Sequence, residues 1–314
     1  MRPLFLLSLP RSGSTLLQRI LGSHEAVATS PEPWLLLPQV YALRESGAFA
    51  EYGQVPSSRA IREFAGRLPG GEGAYLDALR AFATDLYGRA AEAGAGYFLD
   101  KTPRYHFIAD DLFRIVPDAR FVFLWRNPLS VVSSIVDTWS GGRWKLERWH
   151  ADLFEGPPNL VHAFGEHRDR CFALRYEDLV MSPDRALTDL FAYLDLTFDP
   201  GVLEGFSSVR WEARMGDPTG TERYGELSTE PVDKWKATVR GAVRTRWARS
   251  YLASLGPACL TEMGYDLDEL LREIDAQPGG LGSAPRDAAA SLSAAARRSG
   301  RHAAAKLLWS GPRP

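Results

Sequence analysis

The chain has 314 residues, 45% of them hydrophobic, and its 37 Lys and Arg against 39 Asp and Glu leave a formal charge of −2. This length and apolar content suit one large α/β domain or two small ones. The balanced charge argues against a protein that coats nucleic acid, which needs a net basic surface. Two cysteines are too few for a disulfide framework and lack the spacing of a zinc site. We therefore expect neither a nucleic-acid partner nor a bound metal.

The first predicted element is the apolar run at residues 4–9, which Pro10 closes. It is much shorter than the roughly 20 residues of a membrane span, and it favours a buried parallel strand. Turn residues follow at 11–14, and the leucine-rich segment 15–21 predicts a helix. We expect a strand, a tight loop and a helix, in a cytoplasmic protein with neither a targeting segment nor a membrane span.

Strand and helix patterns alternate along the middle of the chain. Asn127 and Pro128 supply the N-cap and the first residue of one of the predicted helices. The predicted strands after the first are residues 97–100, 120–125 and 171–176, and the helices that follow them are 105–116, 128 onward and 183–194. This alternation predicts an α/β fold in which helices flank a central parallel sheet.

Three cations, Arg11, Lys101 and Arg126, each follow a predicted strand. The carboxyl ends of parallel strands meet at one edge of the sheet, and ligands of such sheets bind there. The sequence therefore predicts a pocket for a small anion at that edge.

Composition divides the chain further. Residues 1–276 are expected to form one domain, in which 40–95 is a helical cap and 138–170 an irregular insertion. The tail, 277–314, is rich in Ala, Gly, Pro, Ser and Arg and is expected to be disordered or loosely helical.

The loop after the first strand has the parts that phosphate binding requires. It offers a glycine for close backbone approach, free amides at a helix N-terminus, and hydroxyl groups. Its residues are Arg11, Ser12, Gly13, Ser14 and Thr15. The loop is neither a Walker A motif nor a nucleophile elbow, and taken alone it reads equally well as an ordinary turn.

A second anion site is indicated by Arg126, at the end of the strongest strand, and Ser134, eight residues later in the following helix. A cation and a hydroxyl so placed can converge on a separate phosphate. Taken singly, the first suits a salt bridge and the second a surface hydroxyl.

Together these motifs resemble those of the sulfotransferases. Residues 9–17, LPRSGSTLL, are similar to the family's 5′-phosphosulfate-binding loop, and Arg126-Asn127-Pro128 with Ser134 is similar to its 3′-phosphate-binding strand and helix. The likeness runs from about residue 3 to about residue 266 and is to tyrosylprotein sulfotransferases and their bacterial relatives, which have arginine in the first loop. It implies a P-loop-like sulfotransferase fold.

The resemblance also implies a donor, 3′-phosphoadenosine 5′-phosphosulfate (PAPS), whose product is adenosine 3′,5′-bisphosphate (PAP), with no metal required. Glu32 falls at the family's catalytic base and Lys101 at its catalytic lysine, and Arg11 would bind the phosphosulfate beside them. The acceptor expected is a hydroxyl of a small molecule, natural product or glycan.

Further nucleotide contacts follow from the same resemblance. Tyr176 matches a nucleotide-contacting tyrosine, and the late loop that closes on the nucleotide is matched by Ser228, Thr229 and Lys234. Thr138 departs from the pattern, because the animal enzymes have an arginine there.

Alternatives remain at several positions. His24 and His106 are rival bases. An aromatic acceptor pocket could be lined by Trp34, His106, Trp144, Trp149 and Trp211, although packing in the core is the plainer interpretation for tryptophans. A small-molecule kinase and a non-catalytic module that binds PAP are the rival functions. The oligomeric state is left open, a homodimer included.

Overall fold

The computed structural model describes residues 1–206 and 227–277. Its five-stranded sheet is parallel throughout and has the order β2-β3-β1-β4-β5. The strands are β1 (Arg2–Ser8), β2 (Val27–Thr29), β3 (Tyr97–Asp100), β4 (Arg120–Trp125) and β5 (Cys171–Arg175). The predicted α/β fold with a central parallel sheet is confirmed. Trp211 and the predicted tail beyond Gln277 lie outside the described residues.

Helices connect and follow these strands. In chain order they are α1 (Ser14–Gly22), α2 (Leu37–Tyr41), α3 (Gln54–Gly66), α4 (Glu72–Ala90), α5 (Ala109–Ile115), α6 (Pro128–Trp139), α7 (Gly156–Glu166), α8 (Tyr176–Met181), α9 (Pro183–Tyr193), α10 (Val202–Gly205), α11 (Glu230–Thr238), α12 (Ala242–Glu262) and α13 (Leu267–Asp275). Short 3₁₀ turns span Pro103–Phe107, Glu147–Trp149 and Arg168–Arg170, and a π turn spans Ala151–Glu155.

Two compact units make up the chain. Of the described residues, the first comprises 1–126, 156–206 and 227–229, and the second comprises 127–155 and 230–277. The whole sheet therefore belongs to the first unit.

The core of the first unit is built around β1, the central strand. Leu4, Phe5 and Leu6 are fully buried, because a parallel sheet with helices on both faces leaves neither side of a strand in water. Phe5 stacks on Phe121 of β4 at 5.5 Å between ring centroids. Burying each such side chain contributes about 1.5–3 kcal/mol, so the apolar run that identified the strand also fixes the sheet that carries the site.

Two predicted segments differ from the structure. The single helix predicted over 105–116 is a 3₁₀ turn, Pro103–Phe107, followed by α5, and the break falls at Ile108, whose φ of −131° is not helical. The segment 138–170, which the composition predicts to be irregular, contains α7. That helix begins Gly-Pro-Pro, and proline is tolerated in the first turn because its missing N–H has no helical partner there.

The second unit packs α6 against α11. The hydroxyls of Ser133 and Thr238 share a hydrogen bond of 2.6 Å, and the Ser130 hydroxyl donates to the carbonyl of Val232 at 3.2 Å. None of the helices in residues 1–206 and 227–277 combines the length and apolar character that crossing a bilayer requires.

Candidate active site

The loop predicted to bind phosphate, residues 11–15, lies between β1 and α1. The side chains of Ser12, Ser14 and Thr15 are buried, and the amides of the first turn of α1 lack partners within the helix. Gly13 has a φ of +91°, and a Cβ atom there would lie 2.4 Å from Cδ2 of Tyr176. Only glycine meets both conditions, since it alone adopts this backbone readily and has no side chain.

Arg126 links this loop to the end of β4 and the start of α8. Its Nη1 atom donates to the carbonyl oxygen of Arg11 at 2.8 Å, and its guanidinium lies 4.2 Å from the centre of the Tyr176 ring. Both Arg126 and Tyr176 are buried. A desolvated cation over an aromatic face contributes about 2 kcal/mol, so three segments that are distant in sequence are held together here.

Lys101 joins the loop to Glu32. Its Nζ atom lies 2.8 Å from Oε1 of Glu32 and donates more weakly to Oγ1 of Thr15 at 3.4 Å. The Lys101 side chain is 1% exposed and that of Glu32 is 13% exposed. Lys101 therefore brings the loop and the carboxylate together, and the carboxylate is still reachable from solvent.

Glu32 lies on a strained segment between β2 and α2. Glu32 has a φ of +24° and Trp34 a φ of +55°, and such backbone conformations cost about 1–3 kcal/mol for residues other than glycine. The segment is tied down at several points: Nε2 of Gln18 donates to the Ser30 carbonyl at 2.9 Å, and Nε1 of Trp34 donates to Oε2 of Glu32 at 3.3 Å. Strain of this kind persists only where neighbouring contacts fix the backbone.

A buried carboxylate, Asp100, lies at the end of β3 directly before Lys101. It accepts hydrogen bonds from the hydroxyls of Tyr87 (2.5 Å), Tyr105 (2.9 Å) and Thr102 (2.9 Å). Burial raises the pKa of Asp100, although these hydrogen bonds oppose the shift. Burial and the Asp100 charge also raise the pKa values of Tyr87 and Tyr105 well above the ordinary tyrosine value. Sequence reasoning missed this network, because an aspartate at a strand end carries no signal of its burial.

The rival bases lie elsewhere in the first unit. Nδ1 of His24 accepts the Ala26 amide at 3.1 Å, and its ring packs 5.3 Å from that of Phe191, as suits a turn residue. His106 is 1% exposed, with its ring 4.1 Å from that of Phe107. His106 is therefore closed to an acceptor, whereas Glu32 and His24 are both partly exposed, and Nδ1 of His24 is already engaged by the Ala26 amide.

Other predicted nucleotide contacts lie apart from this cluster in the sequence. Ser134 is partly buried on α6, as is Thr138, the position that departs from the family pattern. Ser228 and Thr229 are exposed before α11. Lys234, on α11, pairs with Asp137 of α6 at 3.0 Å. Ser134, Thr138 and Lys234 belong to the second unit, whereas Ser228 and Thr229 belong to the first.

The predicted acceptor tryptophans separate into two environments. Trp144 is 3% exposed and packs edge to face on Trp247, beneath Arg244, so the structure favours a packing role for it. Trp149 stacks on Trp139 at 4.1 Å beside an open cleft of about 360 Å³. The other residues that line this cleft are Ser140, Gly141, Arg143, Lys145 and Arg148.

The described ranges 1–206 and 227–277 contain no group of three or more His, Cys, Asp or Glu side chains placed to hold a metal ion. Their candidate anion-binding groups are the hydroxyls, amides and cations given above.

Comparison with known proteins places this arrangement in a family. The chain is 32% identical over 290 residues to the nodulation protein NoeE of Sinorhizobium fredii, covering 83% of this chain and 65% of that protein. It is 24% identical to a protein-tyrosine sulfotransferase of Drosophila melanogaster, covering 84% of this chain and 51% of that protein. The chain thus spans less than two thirds of the length of these relatives.

The fold is shared with the sulfotransferase domain of the Synechococcus PCC 7002 olefin synthase, with a TM-score of 0.54 at 24% identity over 75% of this chain and 87% of that domain. A sequence profile described as the Sulfotransferase family matches residues 3–200. Because that match covers more than half of the chain, this protein belongs to the sulfotransferase family.

Proposed function

We propose that this chain is an enzyme that transfers the sulfuryl group of PAPS to an acceptor hydroxyl and releases PAP. The observation that carries the proposal is the position of Lys101, whose Nζ atom contacts both Glu32 and Thr15 of the phosphate-binding loop. A group that stabilises a leaving oxygen and a group that removes a proton must flank the same reacting atoms.

The residues present fit such a donor. Ser12, Ser14 and Thr15 offer hydroxyls beside the first turn of α1, and Gly13 brings the backbone close. Arg11 and these groups are assigned to the 5′-phosphosulfate, and Arg126 to the 3′-phosphate. The Tyr176 ring packs against the Arg126 guanidinium. Ser134, Ser228, Thr229 and Lys234 are proposed as nucleotide contacts from the family resemblance.

The transfer step follows from the chemistry of Glu32 and Lys101. Glu32 accepts the proton of the acceptor hydroxyl while the acceptor oxygen bonds to sulfur. The bond from sulfur to the bridging phosphate oxygen breaks, its electron pair stays on that oxygen, and Lys101 donates to the charge that develops there. As in phosphoryl transfer, the protein mainly positions groups and neutralises charge, which accounts for the cluster of cations.

We propose a small molecule, natural product or glycan as the acceptor. The cleft beside Trp139 and Trp149 supports a ring-bearing acceptor, because an exposed tryptophan face suits a sugar or aromatic ring. Arg143, Lys145 and Arg148 further suit an acceptor that carries a negative charge.

The experiment supplies ³⁵S-labelled PAPS, or γ-³²P-labelled ATP with Mg²⁺, to the protein with a panel of neutral and acidic alcohols, phenols and saccharides. We expect transfer of ³⁵S only. Transfer of ³²P would instead support the rival kinase. PAP binding without transfer to any acceptor, by a protein in which Glu32 and Lys101 are intact, would support the non-catalytic module.

A further inference from the structure

Two hydroxyls in the Asp100 network also contact the segment that carries Glu32. The backbone N–H of Trp34 donates to Oγ1 of Thr102 at 3.2 Å. The backbone N–H of Leu36 donates to the hydroxyl of Tyr105 at 3.1 Å. These two amides lie at the end of the strained backbone and just after it, so the network reaches the segment of the base through two hydroxyls.

The direction of each hydroxyl decides whether it can hold an amide. A hydroxyl has one proton to donate and two lone pairs with which to accept, whereas an ionised carboxylate only accepts. Asp100 therefore takes the protons of Thr102 and Tyr105, and the lone pairs of both oxygens remain for the amides of Trp34 and Leu36. Thr102, Tyr105 and Asp100 are all fully buried, so no water competes for these bonds.

We infer that Asp100, acting through Thr102 and Tyr105, is a positioning residue that holds the segment around Glu32 so that its carboxylate meets Lys101. The inference rests on the proposed roles of Glu32 and Lys101. One short stretch of chain carries Asp100, Lys101 and Thr102, so the leaving-group lysine and the anchor of the base are positioned by the same strand end.

Tyr87 provides a matched control for Tyr105. Both hydroxyls donate to Oδ2 of Asp100, and both side chains are buried. The hydroxyl of Tyr105 also accepts the Leu36 amide, whereas the hydroxyl of Tyr87, on α4, interacts with Asp100 and Tyr105. Tyr105→Phe and Tyr87→Phe thus remove the same bond to Asp100, and only the first removes an anchor of the Glu32 segment.

The experiment compares Tyr105→Phe, Tyr87→Phe, Thr102→Val and Thr102→Ser by hydrogen exchange of a peptide spanning residues 30–37, by turnover, and by PAP affinity. For Tyr105→Phe and Thr102→Val we expect this peptide to exchange about tenfold faster and kcat to fall about tenfold or more, as loss of one buried hydrogen bond implies. PAP affinity should stay within about threefold of wild type, because the phosphate-binding loop keeps its contacts. Thr102→Ser keeps the hydroxyl and should restore both exchange and turnover.

The inference is overturned if Tyr87→Phe lowers kcat as far as Tyr105→Phe does, or if the 30–37 peptide exchanges alike in wild type, Tyr105→Phe and Thr102→Val. The Thr102→Val and Thr102→Ser pair decides the question if either tyrosine variant fails to fold. Hydrogen exchange needs no substrate, so it tests the positioning role even if no acceptor is sulfated and the proposed function fails.

Discussion

The guanidinium of Arg126 lies 4.2 Å from the centre of the Tyr176 ring, which in turn fills the space that a side chain at position 13 would need. The end of β4, the start of α8 and the phosphate-binding loop therefore constrain one another. The Tyr176 ring thus packs against Arg126, the proposed 3′-phosphate contact, and also excludes a side chain at position 13.

Arg126→Ala tests whether this cation recognises the 3′-phosphate. We expect the dissociation constant for PAP to rise at least about tenfold, since a charge-assisted hydrogen bond contributes about 1.5–3 kcal/mol. Affinity for adenosine 5′-monophosphate, which lacks the 3′-phosphate, should change much less. Calorimetric titration of both nucleotides gives the comparison, with Arg120→Ala as the control because Arg120 pairs with Asp195 at 2.6 Å away from the loop. Equal loss for the two nucleotides would show that Arg126 acts only through the Arg11 carbonyl.

Gly13→Ala tests the close contact with Tyr176. A methyl group 2.4 Å from a ring carbon must displace the ring, on a backbone with a φ of +91°. We expect the free energy of unfolding to fall by about 1–3 kcal/mol and PAP affinity to fall with it. Denaturant unfolding and PAP titration measure both effects. Gly73→Ala is the matched control, because a Cβ atom there meets nothing within 4 Å and alanine favours a helix. If Gly13→Ala is no more destabilising than this control, the contact with Tyr176 does not constrain the loop.

The sequence predicted the sheet better than the site. Four of the five strands are predicted by apolar runs between turn residues, a local signal that burial produces. The exception is β2, whose three residues form too short a run to be recognised. The predicted strand 97–100 places Lys101 at its carboxyl end, whereas only the family resemblance indicates Glu32. The hydroxyls around Asp100 belong to α4, a 3₁₀ turn and a loop, and no local pattern brings such segments together. Trp144 and Trp149 also look alike in sequence, yet one is buried and the other borders a cleft.

Glu32→Gln tests the proposed base. The amide oxygen of glutamine can still accept from Nζ of Lys101, so the fold should survive, but an amide does not take up a proton at neutral pH. We expect kcat to fall by about 10²–10⁴-fold with PAP affinity nearly unchanged, as for removal of a general base. Steady-state kinetics across pH, with the exposed Glu25→Gln as control, measure the effect. Near-normal turnover would refute Glu32 as the base, and His106→Ala would then test the buried histidine.

Asp100 predicts a particular pH dependence of stability. Its pKa in the folded protein is raised by burial above the unfolded value, so the folded state binds the proton more tightly. Its contribution to stability is therefore fully present below the unfolded pKa and is lost as pH rises through the folded pKa. The groups that face it are Tyr87, Tyr105 and Thr102, with Lys101 as the neighbouring charge.

Denaturant unfolding of wild type and Asp100→Asn between about pH 4 and pH 7 isolates this contribution, because asparagine does not titrate. We expect the free energy of unfolding of wild type, relative to the variant, to decrease as pH rises. Exposed carboxylates change both proteins equally and cancel in the difference. A difference that grows with pH would mean that the hydrogen bonds outweigh burial and that the pKa of Asp100 is lowered.

The cleft beside Trp149 yields a prediction about the acceptor. Arg143, Lys145 and Arg148 are exposed, and the described part of the chain supplies no ion-pair partner to any of them, whereas Lys234 and Lys236 of the same unit are paired. Unpaired cations at the mouth of a cleft attract an anionic ligand, and each exposed pair contributes about 0.2–1 kcal/mol.

The triple variant Arg143→Gln, Lys145→Gln, Arg148→Gln should therefore raise the KM of a carboxylated saccharide acceptor by about tenfold. The KM of its neutral counterpart and the affinity for PAP should hold steady. Arg240→Gln, an exposed cation of the same unit outside the cleft, controls for net charge. Equal changes in the KM of the charged and neutral acceptors would show that the cleft cations do not recognise the charge of the acceptor. Trp149→Ala would then show whether the aromatic face alone recognises the acceptor ring.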